Sequence, residues 1–143
     1  MGLLQGLAGN LTEMPKEELE KKYGLYLIEG EEIEIGYKLV RDVIIFTNIR
    51  ILDFDSQGAT GKKTRAESIH LNTIFHVTAE TAGFGIDDSE ITVSYITSPY
   101  FRANSITTNS KKFEFPKKYD ISPLYRKLEM ISIENMDRIN GIG

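Results

Sequence analysis

Five basic side chains are this chain's best candidates for gripping an anion: Lys38 and Arg41 in one short segment, Lys62, Lys63 and Arg65 in another. Phosphate-bearing head groups are held by several converging cations, so these residues define the chemistry to weigh first. The first segment is diluted by Leu39 and Val40 between its cations and by Asp42 after them. The second follows a glycine-rich turn, and its plainer reading is a solvated basic hairpin. Arg41-Asp42 also suits a fixed ion pair that orients strands or bridges subunits, since such pairs serve specificity more readily than net stability.

Other spacings support less. His70 and His76 are the only histidines, and the Asn72-Thr73 break between them argues against a shared metal site; each reads as a packing or surface residue. Asp87 and Asp88 lie in a turn-prone link, where Asp side chains bond their own backbone more readily than they hold a cation. Gly83-Phe84-Gly85 lacks the third glycine and the βαβ setting of a dinucleotide fingerprint. Gly58 to Lys63 lacks the spacing and the Ser or Thr after lysine of a P-loop. No nucleophile, base and oxyanion donor stand together, and there is no cysteine for a thiolate site or a disulfide. The expectation is a non-enzyme with no cofactor and no metal.

Charge and hydropathy narrow the partners. Net charge is −4, and residues 10–34 hold eight Glu against three Lys, a local −5 that leaves about +1 for the rest. A nucleic-acid binder needs a basic face for phosphate neutralisation, so nucleic acid is not expected. The apolar runs are far shorter than the roughly 20 residues of a membrane-spanning helix, and the first ten residues lack the basic start of a secretory signal. Cytoplasm is the expected compartment, with a membrane surface as a possible but unsupported partner.

The elements that must position these residues are mostly strands. Thr12 to Gly24 reads as a short surface helix, with Pro15 in its first turn, Glu17 and Glu18 near its positive end, Lys21 and Lys22 near its negative end and Gly24 at C′. Ile33, Ile35 and Tyr37 alternate with Glu32, Glu34 and Gly36, predicting a strand with those three apolar residues on one face. Val43 to Thr47 and Ile49 to Phe54 follow as β-branched and aromatic runs, then Lys62 to Leu71, Ile74 to Ala79, Glu90 to Thr97 and Lys111 to Lys117. Tyr100 to Ser110 is polar and undecided. Asp120 or Ser122 offers a cap, Pro123 a first helical position, and Ile121, Leu124, Leu128 and Ile131 the 3, 4, 3 spacing of one buried stripe. Several short strands and one closing amphipathic helix imply a bent antiparallel sheet or small barrel.

On the leading GLLQGLAGN, the Glu-rich helix, the pair Tyr37 to Asp42 and Phe46-Thr47-Asn48, the Gln57-Gly58 and Thr60 to Lys63 turn, and Val77 to Gly83, the chain resembles the bacterial pleckstrin-homology-like family. That resemblance implies a mainly β fold: a bent antiparallel barrel of about seven strands closed by a C-terminal amphipathic helix. It divides the chain into an N-terminal helical extension (1–28), a pleckstrin-homology-like domain (29–135) and a flexible tail (136–143). It implies a non-enzymatic module that forms a cyclic homo-oligomer and binds a protein or other ligand. Leu3, Leu4, Leu7, Arg41 and Asp42 are then the candidate assembly contacts. The alternative is a peripheral module recognising anionic lipid through Lys38, Arg41, Lys62, Lys63 and Arg65.

Overall fold

A computed structural model of the chain describes residues 13–39, 42–57, 63–81 and 88–142. It divides into two compact units, Met1–Ile69 and His70–Gly143. The first carries a short helix, α1 (Lys16–Tyr23), and a four-stranded sheet in the order β1 (Ile33–Lys38), β2 (Asp42–Thr47), β3 (Arg50–Gln57) and β4 (Lys63–His70). The second carries a three-stranded sheet, β5 (Ile74–Glu80), β6 (Ser89–Ile96) and β7 (Thr108–Phe115), and the long helix α2 (Ser122–Asn140). The seven expected strands are all present.

In the first unit the two central strands are buried on both faces, which is why β2 and β3 read as unbroken apolar runs rather than as alternation: Ile44, Ile45, Phe46, Ile51, Leu52 and Phe54 are all buried, whereas β4 is exposed along most of its length. One face packs on α1 through Leu19, Ile33, Ile45, Leu52 and Phe54, with Met14, Tyr23, Leu27 and Val43 around them. On the other face Tyr37 meets Phe46 edge-on at 6.0 Å.

Ile33, Ile35 and Tyr37 do not share one face, contrary to the period-2 expectation. Ile33 pairs with Thr47 but Ile35 pairs with Phe46, so β1 carries one extra residue, a β-bulge. The bulge turns Ile33 toward α1 and leaves Ile35 and Tyr37 on the opposite side. Gly36 then faces the helix, where a Cβ would stand 2.6 Å from Leu19 Cδ1. Helix and strand approach this closely because position 36 has no side chain.

α1 ends differently from expectation. Pro15 occupies the N-cap with extended backbone, and Gly24 stays right-handed (φ −57°), leading into a 3₁₀ turn, Gly24–Tyr26, instead of reversing the chain. The glycine reads as a stop in sequence, but the positive φ occurs later, at Gly30 (85°).

In the second unit a bulge between Ile74 and His76 brings Ile74 and Val77 to one buried face with Ile91, Val93, Tyr95, Phe113 and Phe115. The undecided segment resolves as a long connection between β6 and β7. It is closed at its base by Thr97 N–H donating to Thr107 O (2.8 Å) and by the two threonine hydroxyls 2.7 Å apart. The polar residues Thr108, Asn109 and Ser110 belong to β7 because they pair with Ile96, Tyr95 and Ser94.

α2 packs on β5. Ile121, Leu124 and Leu128 are buried as the stripe predicts, but the buried face continues through Ser132 and Asn135. The N-cap position falls on Ile121; Asp120 instead accepts from Ser122 N–H (3.0 Å) and Oγ (2.6 Å) just ahead of the helix. Residues 136–140, expected in a flexible tail, are helical. Gly141 at φ 74° ends the helix, with Gly141 N–H bonded to Arg138 O and Ile142 N–H to Asp137 O, a Schellman arrangement that satisfies two terminal carbonyls.

Candidate functional site

A dense polar constellation in the first unit joins residues that no spacing in the sequence relates. Glu31, just before β1, and Arg50, which opens β3, form a two-pronged pair: Arg50 Nε donates to Glu31 Oε2 and Nη2 to Oε1, both at 2.8 Å. The Glu31 carboxylate is fully buried and the Arg50 side chain only 15% exposed. Around them Thr47 Oγ1 donates to Glu31 Oε2 (2.7 Å) and accepts from the N–H groups of Ile49 and Arg50, while Ile28 N–H donates to Glu31 Oε1 (3.0 Å). The guanidinium also reaches Tyr26 O and Ser68 Oγ, each at 2.9 Å.

These bonds favour the charged carboxylate more than burial disfavours it. The Arg50 guanidinium first, with Thr47 and the Ile28 amide, holds Glu31 at about 2, and Arg50 is raised in return. Beside it Asn48 accepts from Glu32 N–H (2.8 Å) and donates to Gly30 O (3.2 Å). The buried Glu31 carboxylate accepts from donors within the chain on both of its oxygens, so the constellation ties the β2–β3 turn to the segment before β1 and reads as structural. Sequence periodicity carries no signal for a pair 19 residues apart, with Glu31 ahead of β1 and Arg50 at the start of β3.

The predicted anion-binding residues are only partly brought together. Lys38 ends β1 and Lys63 opens β4; both are exposed and stand at the same end of the sheet, but on its two outer strands. Arg65 lies 3.5 Å from Glu67, which offsets its charge. Asp42 is half-buried opposite Asp55. Arg41, Lys62, Leu3, Leu4, Leu7 and Asp87 lie outside the described residues.

His70 closes β4 and His76 lies in β5, both exposed, with the 3₁₀ turn Leu71–Thr73 between them. Asp88 lies in a shallow depression with Glu80, Thr81 and Glu90, and Glu90 is 3.5 Å from Lys112. Among the described residues no group of three His, Asp or Glu side chains is placed to hold a metal ion. No helix among them is long and apolar enough to cross a membrane.

In the second unit an open depression of about 740 Å³ is lined by Pro99 to Ala103 of the β6–β7 connection and by Arg138 and Ile139 of the last turns of α2. Arg138 is held in place by donating to Asn135 Oδ1 (2.9 Å) and Asn72 O (3.1 Å). Asn135 in turn donates from Nδ2 to Leu71 O (2.7 Å) and Ile74 O (2.8 Å). One wall of this depression comes from the polar segment Tyr100 to Ser110, whose pattern decides no element, and the other from the residues expected in the tail. Its visible signal is the run Tyr100-Phe101-Arg102, two aromatics beside a cation.

Comparison with known proteins places this arrangement. Two proteins of Bacillus subtilis (strain 168) are similar: the uncharacterized protein YjqA, 41% identical over 93 residues (65% of this chain, 74% of that one), and the uncharacterized protein YozO, 36% identical over 104 residues (71% and 79%). Among solved structures, a DUF1696 family protein with a pleckstrin-homology domain from Shewanella loihica PV-4 superposes with a TM-score of 0.63 at 26% identity, covering 85% of this chain and 96% of that one. A pleckstrin homology domain from Shewanella amazonensis SB2B gives a TM-score of 0.63 at 28% identity, covering 92% and 98%. The expected pleckstrin-homology-like fold is therefore the observed one. With the Bacterial PH domain family model matching residues 2–132, the chain belongs to the bacterial pleckstrin-homology domain family.

Proposed function

We propose that this domain is a non-enzymatic scaffold that assembles with copies of itself and presents a binding surface. The observation that carries the reading is the outer side of α2. Met130 and Ile133 stand there, exposed by 61% and 53%, on the side of the helix away from Leu124, Leu128 and Asn135, and Met136, exposed by 37%, flanks the buried stripe one turn on. A helix buried on one side normally turns charge to water on the other, so the large apolar side chains of Met130 and Ile133, set among Arg126 and Asp137 on the outer side, call for a cover. A second copy is the favoured occupant, because Arg126, Lys127 and Glu129 before Met130 sum to +1 while Glu134, Asp137 and Arg138 beyond it sum to −1. Two such helices running antiparallel set opposite charges against one another.

Light scattering at tens of micromolar tests the assembly: a strict monomer defeats it. Ile133→Asp, at an exposed position, is expected to shift an oligomer toward monomer without loss of fold.

A second reading, recognition of anionic lipid, draws on the exposure of Lys38 and Lys63 at one end of their sheet. Co-sedimentation with vesicles with and without anionic lipid separates it from the first; absence of salt-sensitive binding removes it.

A further inference from the structure

We infer that the depression between the β6–β7 connection and the end of α2 is a binding site for a small organic carboxylate with an apolar body. Its walls supply the two chemistries such a molecule needs. Pro99, Tyr100, Phe101, Ala103 and Ile139 give an apolar surface; Tyr100 is 77% exposed, an aromatic face with little of the protein over it. Arg102 and Arg138 give two guanidiniums. Among the described residues neither has a carboxylate partner within ion-pair distance, in contrast to Arg50 and Arg65, each of which has one.

Arg138 is also pre-set. Its bonds to Asn135 Oδ1 and Asn72 O use one N–H on each terminal nitrogen and hold the plane of the group, so an incoming carboxylate meets a cation whose ordering cost is already met. The depression, about 740 Å³, is open, so a ligand would lie along an apolar wall and be oriented by the few polar groups at its edge. Charge selects the ligand class: two arginines without a carboxylate partner among the described residues favour an anion over a cation, while the aromatic walls favour one with an apolar chain or ring over a bare ion.

The inference uses none of Met130, Ile133 or Met136, so it stands or falls separately from self-assembly. The test is a titration of the full chain with octanoate, followed by amide and methyl NMR, with octanol and acetate as matched probes that lack the charge or the chain. Saturable shifts at Tyr100, Phe101, Ala103 and Ile139 are expected with octanoate, and much weaker ones with either control. Arg102→Gln, at an exposed position, is expected to weaken octanoate by about tenfold or more, the loss of one charge-assisted contact. Tyr100→Ala is expected to weaken it without altering shifts elsewhere. No saturable response to octanoate, an equal response to octanol, or unchanged affinity in Arg102→Gln each overturns the assignment.

Discussion

Replacing Glu31 by Gln tests the buried ion pair with the shape of the side chain nearly unchanged. The carboxylate titrates at about 2 instead of 4.5, and at 1.36 kcal/mol per pH unit that difference is worth roughly 3 kcal/mol of folding stability. An independent route gives a similar size: removing one partner of a buried pair typically costs about 3–5 kcal/mol, because the other charge is stranded. Here Arg50 keeps Tyr26 O and Ser68 Oγ, which favours the lower end.

The sign of the pH dependence follows from the lowered value. Stability from Glu31 is fully present above the unfolded-state value near 4.5 and is lost as pH falls toward 2. Between pH 7 and pH 3 the linkage relation gives a loss of roughly 2 kcal/mol from this one group. Urea denaturation of wild type and Glu31→Gln at pH 7, 5, 4 and 3 reads this out. The gap between the proteins is expected to be about 3 kcal/mol at pH 7 and to close to about 1 at pH 3. A gap that stays constant with pH, or one below about 0.5 kcal/mol at pH 7, refutes the assignment of a buried, ionised Glu31.

Two further substitutions probe packing. Gly36→Ala places a methyl 2.6 and 2.8 Å from the two Leu19 Cδ atoms and is expected to cost about 1–3 kcal/mol in chemical denaturation; in a Leu19→Ala background that cost should largely vanish, and equal costs in both backgrounds dismiss the contact. Asn135→Ala removes the donors to Leu71 O and Ile74 O and is expected to cost about 2–4 kcal/mol, with faster amide exchange along β5; a change under about 0.5 kcal/mol shows that these carbonyls find other donors.

The fold was legible where side-chain pattern and backbone need coincide. Val43 to Thr47 and Ile49 to Phe54 announce strands because both faces are buried and β-branched residues suit that setting. Ile121, Leu124 and Leu128 announce the helix by their spacing. The bulges were not legible: an extra residue leaves alternation intact on either side, and only cross-strand pairing shows that Ile33 and Ile35 point apart. The end of α2 was misplaced because buried Ser132 and Asn135 look polar in sequence, although Asn140-Gly141 carries a recognisable stop. Of the candidate site, the cations were readable as residues but their neighbourhoods were not. Arg65 lies against Glu67, Lys38 and Lys63 stand on outer strands, and the depression beside Arg138 depends on a loop and a helix end that local pattern does not relate.

The bulge in β1 and the Glu31–Arg50 pair together make a ruler. The pair fixes where the chain must be before β1 begins, Gly36 fixes where it must be beneath Leu19, and the stretch between them holds one residue more than straight pairing admits. Deleting Glu34 would regularise the strand, yet it would force a choice: the carboxylate leaves its guanidinium, or the glycine leaves the helix. Among relatives of this chain, the length between these two points should therefore be held tightly.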